Sequence, residues 1–140
     1  MDNCCYSRPY DLPGNMRIIL EAKAVMTIQR MIEDKKIELV SSSVVLYENS
    51  FKKNEEQREC IVDFIMSNVD YYVDDFHVPD VERLHKSIME KGIGEMDAYH
   101  LACAIKMECD YLITTDDRVL KFKNDSIKVV DPISFLLEEV

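Results

Sequence analysis

Five acidic residues of this 140-residue chain stand where carboxylates can do chemistry: Asp2, Glu48, Asp97, Asp116 and Asp117. Carboxylates brought to one point repel one another, and a hard divalent cation with oxygen ligands relieves that repulsion. Each acid also has an ordinary role when taken alone. Asp2 would be a solvated terminus and Glu48 an exposed helix acid. Asp97 would sit in a first helical turn, where a carboxylate stabilises by about 0.3–1 kcal/mol. Asp116 would cap a short helix. One shared site is the more economical account.

The elements that must position these acids follow from the hydrophobic pattern. Residues 2–15 read as a loop, because Arg8-Pro9, Pro13-Gly14 and Asn15 are turn chemistry. A helix is expected over Met16–Asp34, with Ile18, Ala22, Val25, Ile28 and Ile32 on one stripe. Ile37–Val40 is a short strand, and Ser41, Ser42 and Ser43 offer caps for a helix that carries Val44, Val45, Tyr47 and Glu48. Another helix spans about Asn54–Asn68, with Cys60, Ile61, Phe64 and Ile65 inward. A strand at Tyr71–Val73 precedes a helix that Pro79 opens and Gly92 closes.

The last third carries the strongest pattern. Gly94–Glu108 is an amphipathic helix with Ala98, Leu101, Ala102 and Ile105 on its apolar face. Tyr111–Thr114 is a compact apolar strand, followed by a short helix over Asp116–Phe122, a strand over Ile127–Val130 and a helix over Pro132–Glu139. Short apolar strands alternating with helices imply an α/β fold whose parallel sheet is covered on both faces. Ligands of such sheets gather beyond the carboxyl ends of the strands. Asp116 and Asp117 follow the strand at 111–114. Asp97 opens the helix before that strand, Glu48 follows the strand at 37–40, and Asp2 begins the first loop. Four segments can therefore send carboxylates to one edge.

Composition narrows the class. Hydrophobic residues make up 47% of the chain, enough for one core and one domain. No apolar run is long enough to span a bilayer, and no signal-peptide pattern opens the chain. The five cysteines (Cys4, Cys5, Cys60, Cys103 and Cys109) show no CxxC pair and no Cys/His zinc spacing, so the expectation is reduced thiols in a cytoplasmic protein. A net charge of −10 argues against broad, non-specific nucleic-acid binding, although cations can neutralise an acidic site.

Four segments in order resemble the PIN-domain family. They are Asp2-Asn3-Cys4-Cys5-Tyr6-Ser7-Arg8-Pro9-Tyr10-Asp11, Ser43-Val44-Val45-Leu46-Tyr47-Glu48-Asn49, Asp97-Ala98-Tyr99-His100-Leu101-Ala102 and Tyr111-Leu112-Ile113-Thr114-Thr115-Asp116. The resemblance implies a Rossmann-like three-layer α/β/α sandwich with a central parallel sheet. It also implies a Mg²⁺- or Mn²⁺-dependent ribonuclease acting on RNA. Asp2, Glu48, Asp97 and Asp116 would form the acidic quartet, with Asp117 replacing or assisting Asp116. Many small members are toxins held inactive by an antitoxin, and a homodimer is expected by the same analogy. Only Met1 precedes Asp2, where the family carries an apolar strand. Either that strand precedes Met1, which is the favoured expectation, or it is truly absent; true absence would leave an open sheet and a weakly anchored Asp2, and a catalytically inactive PIN-like binding module is the alternative function.

Other residues have plainer readings. His100 lies one turn after Asp97, and with no second His or Cys to complete a zinc set it is expected to be packed or hydrogen-bonded. His77 and His85 belong to no motif. Cys4 and Cys5 are read as packing residues. Arg8, Arg17, Lys52, Lys53 and Arg58 are candidates for phosphate contact. Tyr6, Tyr10, Tyr47 and Tyr99 could stack on bases, with packing as their default role. A phosphoacceptor domain ranks last, because no Lys follows the strand at 127–130 in the required place.

Overall fold

The computed structural model describes residues 1–74 and 78–139, so His77 lies outside the described residues. The expected loop at the start is instead two short helical turns. Helix α1 spans Asn3–Ser7 and a 3₁₀ turn spans Arg8–Tyr10. Asp2 caps α1, its Oδ1 accepting from Cys5 N–H at 3.3 Å. An Asx cap satisfies one of the amides a helix start leaves open.

Helix α2 spans Met16–Glu33 behind an Asn15 cap. Its buried stripe is Glu21, Ala24, Val25, Ile28 and Ile32, turned slightly from the expected one so that an acid goes inward where Ala22 was expected. Strand β1 (Val40–Ser42) leads directly into α3 (Ser43–Asn49), with Ser42 in the cap position but making no side-chain cap bond. Helix α4 (Glu55–Asn68) is capped by Asn54 and buries Ile61 and Ile65; Cys60, expected inside, is exposed. Strand β2 is Tyr71–Val73, and α5 is Pro79–Glu90. Gly92 follows α5 at φ +93°, the left-handed position that favours glycine after a helix.

Helix α6 (Glu95–Lys106) is the most buried element, with every residue from Ala98 to Ala104 inside. Strand β3 (Tyr111–Ile113), α7 (Asp117–Leu120), β4 (Lys128–Val130) and α8 (Pro132–Glu139) complete the chain. Asp131 accepts from the Ile133 and Ser134 amides at 2.9 Å and so fixes the start of α8.

Helices lie on both sides of the strands. Successive residues of a strand point to opposite faces, and β3 shows the result. Leu112 packs with Ala98, Leu101 and Ile88 on the α5–α6 side, whereas Ile113 packs with Val25, Ile28 and Phe135 on the α2–α8 side. The strands are parallel, as expected, but they do not form one sheet. Among the described residues, Val40–Ser42 pairs with Tyr71–Val73 alone and Tyr111–Ile113 with Lys128–Val130 alone. The expected central sheet is thus corrected to two parallel pairs. Beside β3, Asp2 N–H donates to Ile113 C=O at 3.1 Å, the Cys5 thiol donates to the same carbonyl at 3.3 Å, and Met1 packs against the cluster that holds Ile113.

Candidate active site

A cleft of about 480 Å³ opens at the carboxyl ends of β1 and β3. Its walls include Asp2, Glu48, Asp97 and Asp116, so the fold brings all four to one place. Asp2 is weakly anchored only in expectation. Its side chain is buried, its N–H is held by Ile113, and its carboxylate caps α1 and accepts from Cys4 Sγ at 2.8 Å. Glu48 projects from α3 and bonds His100 Nε2 through Oε1. His100 is therefore the hydrogen-bonded histidine expected, and its partner is an acid of the cleft. Asp97 comes from the first turn of α6. Asp116 caps α7, accepting from Arg118 N–H at 2.9 Å, and also holds the Arg118 guanidinium.

The electrostatics of the four differ. Burial pushes the Asp2 carboxyl up to about 7, with the adjoining Cys4 adding to the rise. Asp97 is raised by burial too, and the charges of Asp116, Asp2 and Glu48 raise it further, against a lowering by His100. Asp116 is lowered, chiefly by Arg118. Asp97 has no hydrogen bond or ion pair among the described residues. The donor set is thus rich in oxygen, partly desolvated and mutually repelling, which fits Mg²⁺ or Mn²⁺. Asp2 Oδ, Cys4 Sγ and Cys5 Sγ also lie within 4.8 Å of one another, although Cys5 is turned to donate to Ile113 C=O.

Asp117 stands outside the cleft. Its two oxygens take the Arg17 guanidinium at 2.8 and 3.0 Å. Arg17 also donates to Glu21 at 2.6 Å and to Thr115 C=O at 3.1 Å. Arg8 lies 2.8 Å from the other Glu21 oxygen, as an ion pair without an aligned hydrogen bond, and donates to Asp11 at 3.0 Å. This network braces the 3₁₀ turn, α2 and the end of β3 around the cleft.

Of the expected phosphate contacts, Arg8 lines the cleft but is held by Glu21 and Asp11, and Arg17 is held as above. Arg58 donates to Lys52 C=O at 2.8 Å. Lys52 Nζ bonds Ser7 Oγ and feels the charges of Glu48 and Cys4, so it sits at the cleft. Lys53 is exposed. Tyr6 is buried, and Tyr99 stacks on His85 with centroids 3.5 Å apart. Tyr47 is exposed and meets Phe51 edge to face, and Tyr10 is half exposed.

Sequence reasoning missed Glu21, Arg118 and the Cys4 thiol. Glu21 could have been found, because an acid four residues before Val25 lies on the buried stripe and Arg17 precedes it by one turn. Arg118 had no such signal beyond its place after two acids.

No helix among the described residues is long and apolar enough to cross a membrane. No curated protein and no solved structure matches the chain. A family model described as PIN domain matches residues 16–124, a span that holds Glu48, Asp97, Asp116 and Asp117 and leaves Asp2 before it. That match covers well over half of the sequence and agrees with parallel strands between helical layers and an acidic cleft at their carboxyl ends: the chain belongs to the PIN-domain family.

Proposed function

We propose that the protein is a divalent-metal-dependent endoribonuclease. The observation that carries this reading is the convergence of Asp2, Glu48, Asp97 and Asp116 on one cleft from four separate segments, within a nuclease-like family. Asp2 and Asp97 are the principal proposed ligands, because both are partly desolvated and neither ends in a surface ion pair. A bound Mg²⁺ or Mn²⁺ supplies Lewis acidity and charge neutralisation at the phosphate. Glu48 is held by His100, which fixes its direction and supplies a place for a proton. Arg118, exposed at the rim, and Lys52, half-buried beside Glu48, are the cations placed to meet phosphate oxygens. RNA is the proposed substrate. A toxin role with an antitoxin partner, a homodimer and a cytoplasmic location belong to the same proposal.

Thermal unfolding with and without Mn²⁺ tests the metal site. At a cation concentration 100 times Kd, binding stabilises by about 2.7 kcal/mol, which raises Tm by several degrees. The rise should vanish in the Asp97→Asn/Asp116→Asn double variant, and single-stranded RNA should be cut only by the unaltered chain with metal. The second reading, a non-catalytic interaction module, draws support from the divided sheet. A folded chain that shows no metal shift and leaves RNA uncut would establish that reading.

A further inference from the structure

Carboxylates are not the whole donor set of the cleft. Cys4 borders it half-buried, and its thiol donates to Asp2 Oδ1 at 2.8 Å, with Thr114 Oγ1 3.5 Å away. The sulfur is thus directed at one of the two principal ligands proposed above. Asn3 borders the same cleft, and its Oδ1 is shielded from water without a hydrogen-bond partner among the described residues. A buried polar atom left in this way is costly unless something in the folded state meets it. Asp2, Asn3 and Cys4 therefore bring oxygen, oxygen and sulfur to one cleft, opposite Asp97 and Asp116.

The second thiol is committed elsewhere. Cys5 Sγ lies within 4.8 Å of the Asp2 and Cys4 donor atoms, but it is buried and donates to Ile113 C=O. The sulfur open to the cleft is that of Cys4.

Sulfur changes which cation such a site favours. Mg²⁺ takes oxygen ligands and gives up its waters reluctantly. Thiolates select softer ions, and along the first row affinity rises from Mn²⁺ through Co²⁺, with Zn²⁺ well suited to mixed sulfur and oxygen sets. Sulfur and oxygen ligands of one tetrahedral ion stand about 3.5 Å apart, so a small turn of the Cys4 side chain away from Asp2 is sufficient.

We propose that Cys4 is a ligand of the cation in this cleft, beside Asp2 and Asp97, and that its sulfur makes the site prefer ions of the Zn²⁺ and Co²⁺ class to Mg²⁺. The inference rests on the reading of the cleft as a divalent-metal site and narrows the choice of ion. On binding, the sulfur–hydrogen bond now directed at Asp2 breaks. Its proton passes to solvent, and the freed electron pair forms the metal–sulfur bond. No electron changes hands.

The test is titration of the intact, reduced chain with Co²⁺. Visible absorption reports that the ion is bound, and near-ultraviolet sulfur-to-metal absorption reports a thiolate ligand. Both should saturate at one equivalent, and Zn²⁺ should displace the Co²⁺ at far lower concentration than Mg²⁺. Cys4→Ser should abolish the ultraviolet band and weaken Co²⁺ about tenfold or more, the scale on which even outer partners of a metal act. Cys60→Ser, a change at an exposed thiol, should preserve both. Alkylation read by mass spectrometry needs no variant: Zn²⁺ should protect Cys4 in the folded chain and leave Cys60 reactive. Co²⁺ bound without the ultraviolet band, a band retained in Cys4→Ser, or equal alkylation of Cys4 with and without Zn²⁺ would overturn the sulfur ligand and leave the carboxylate site standing. Failure of Co²⁺, Mn²⁺ and Mg²⁺ alike to bind would overturn the metal site itself, and the sulfur ligand with it.

Discussion

Two groups of acids lie side by side in this protein and meet opposite surroundings. In the network behind the cleft, Glu21 is buried between Arg8 and Arg17, and Asp11 and Asp117 close its two ends. In the cleft, Asp2, Glu48, Asp97 and Asp116 share His100 and the exposed Arg118, and Asp97 has its charge raised in energy by the other three. The residue types are the same, and the chain neighbours Asp116 and Asp117 fall into different groups. What separates the groups is compensation. A buried carboxylate with two guanidiniums is finished structure, whereas desolvated carboxylates that face one another leave a need that a cation fills.

The largest effect should come from removing the centre of the compensated group. Glu21→Gln would leave two guanidiniums without their common partner, one of them mostly buried. Breaking a buried pair from one side is costly, and partial exposure of Arg17 moderates the cost to about 3 kcal/mol. Tm should fall by about 10 °C. A change of only a degree or two by calorimetry would mean that the network is dispensable, and the contrast with the cleft would lose its meaning.

Much of this arrangement was legible in the sequence, for a physical reason. Glu48, Asp97 and Asp116 are each tied to a strand end or a helix start, and those boundaries are written in apolar periodicity and caps. Asp97 in the first turn of α6 and Asp116 as the cap of α7 stand where the pattern put them. The orientation of neighbours was not legible. Nothing in the string Thr115-Asp116-Asp117 says which carboxylate turns inward; Arg17, about a hundred residues earlier, decides it. The inward turn of Glu21 and the outward turn of Cys60 are shifts of helix phase, which α2–α8 packing and α4 packing set. The division of the sheet was foreseen only as a missing strand, since pairing between β1 and β3 depends on a neighbour and not on either strand's residues.

A smaller effect distinguishes the groups by pH. Asp2 is raised from 3.8 to about 7 in the folded chain, so the folded state holds a proton that the unfolded state has lost between those values. Linkage then makes this contribution full below about pH 4 and lost as pH rises through about 7. Asp97, raised in the same direction, adds to it. The metal-free protein should therefore lose stability from about pH 5 to pH 7 relative to Asp2→Asn, which has no such proton to lose. Mn²⁺ competes with the same proton, so its stabilisation should grow over that interval. Denaturant unfolding at several pH values checks both signs; parallel curves for the two chains would show that burial beside Cys4 does not hold a proton on Asp2.

The smallest expected effect is the sharpest test of the division. Asp117 has two-thirds of its side chain exposed and Arg17 half, so their pair is a surface ion pair despite its bidentate geometry. Such pairs contribute little, because water and salt screen them and two long side chains must be held in place. Asp117→Asn should thus lower Tm by no more than a few degrees and leave the Mn²⁺ shift unchanged, because Arg17 keeps its bonds to Glu21 and Thr115. Asp116→Asn, one residue away, should diminish the Mn²⁺ shift while keeping much of its capping role, since Asn also caps helices well. Loss of the shift in Asp117→Asn would place Asp117 among the cleft acids, and compensation by arginine would no longer separate a structural carboxylate from a metal-binding one.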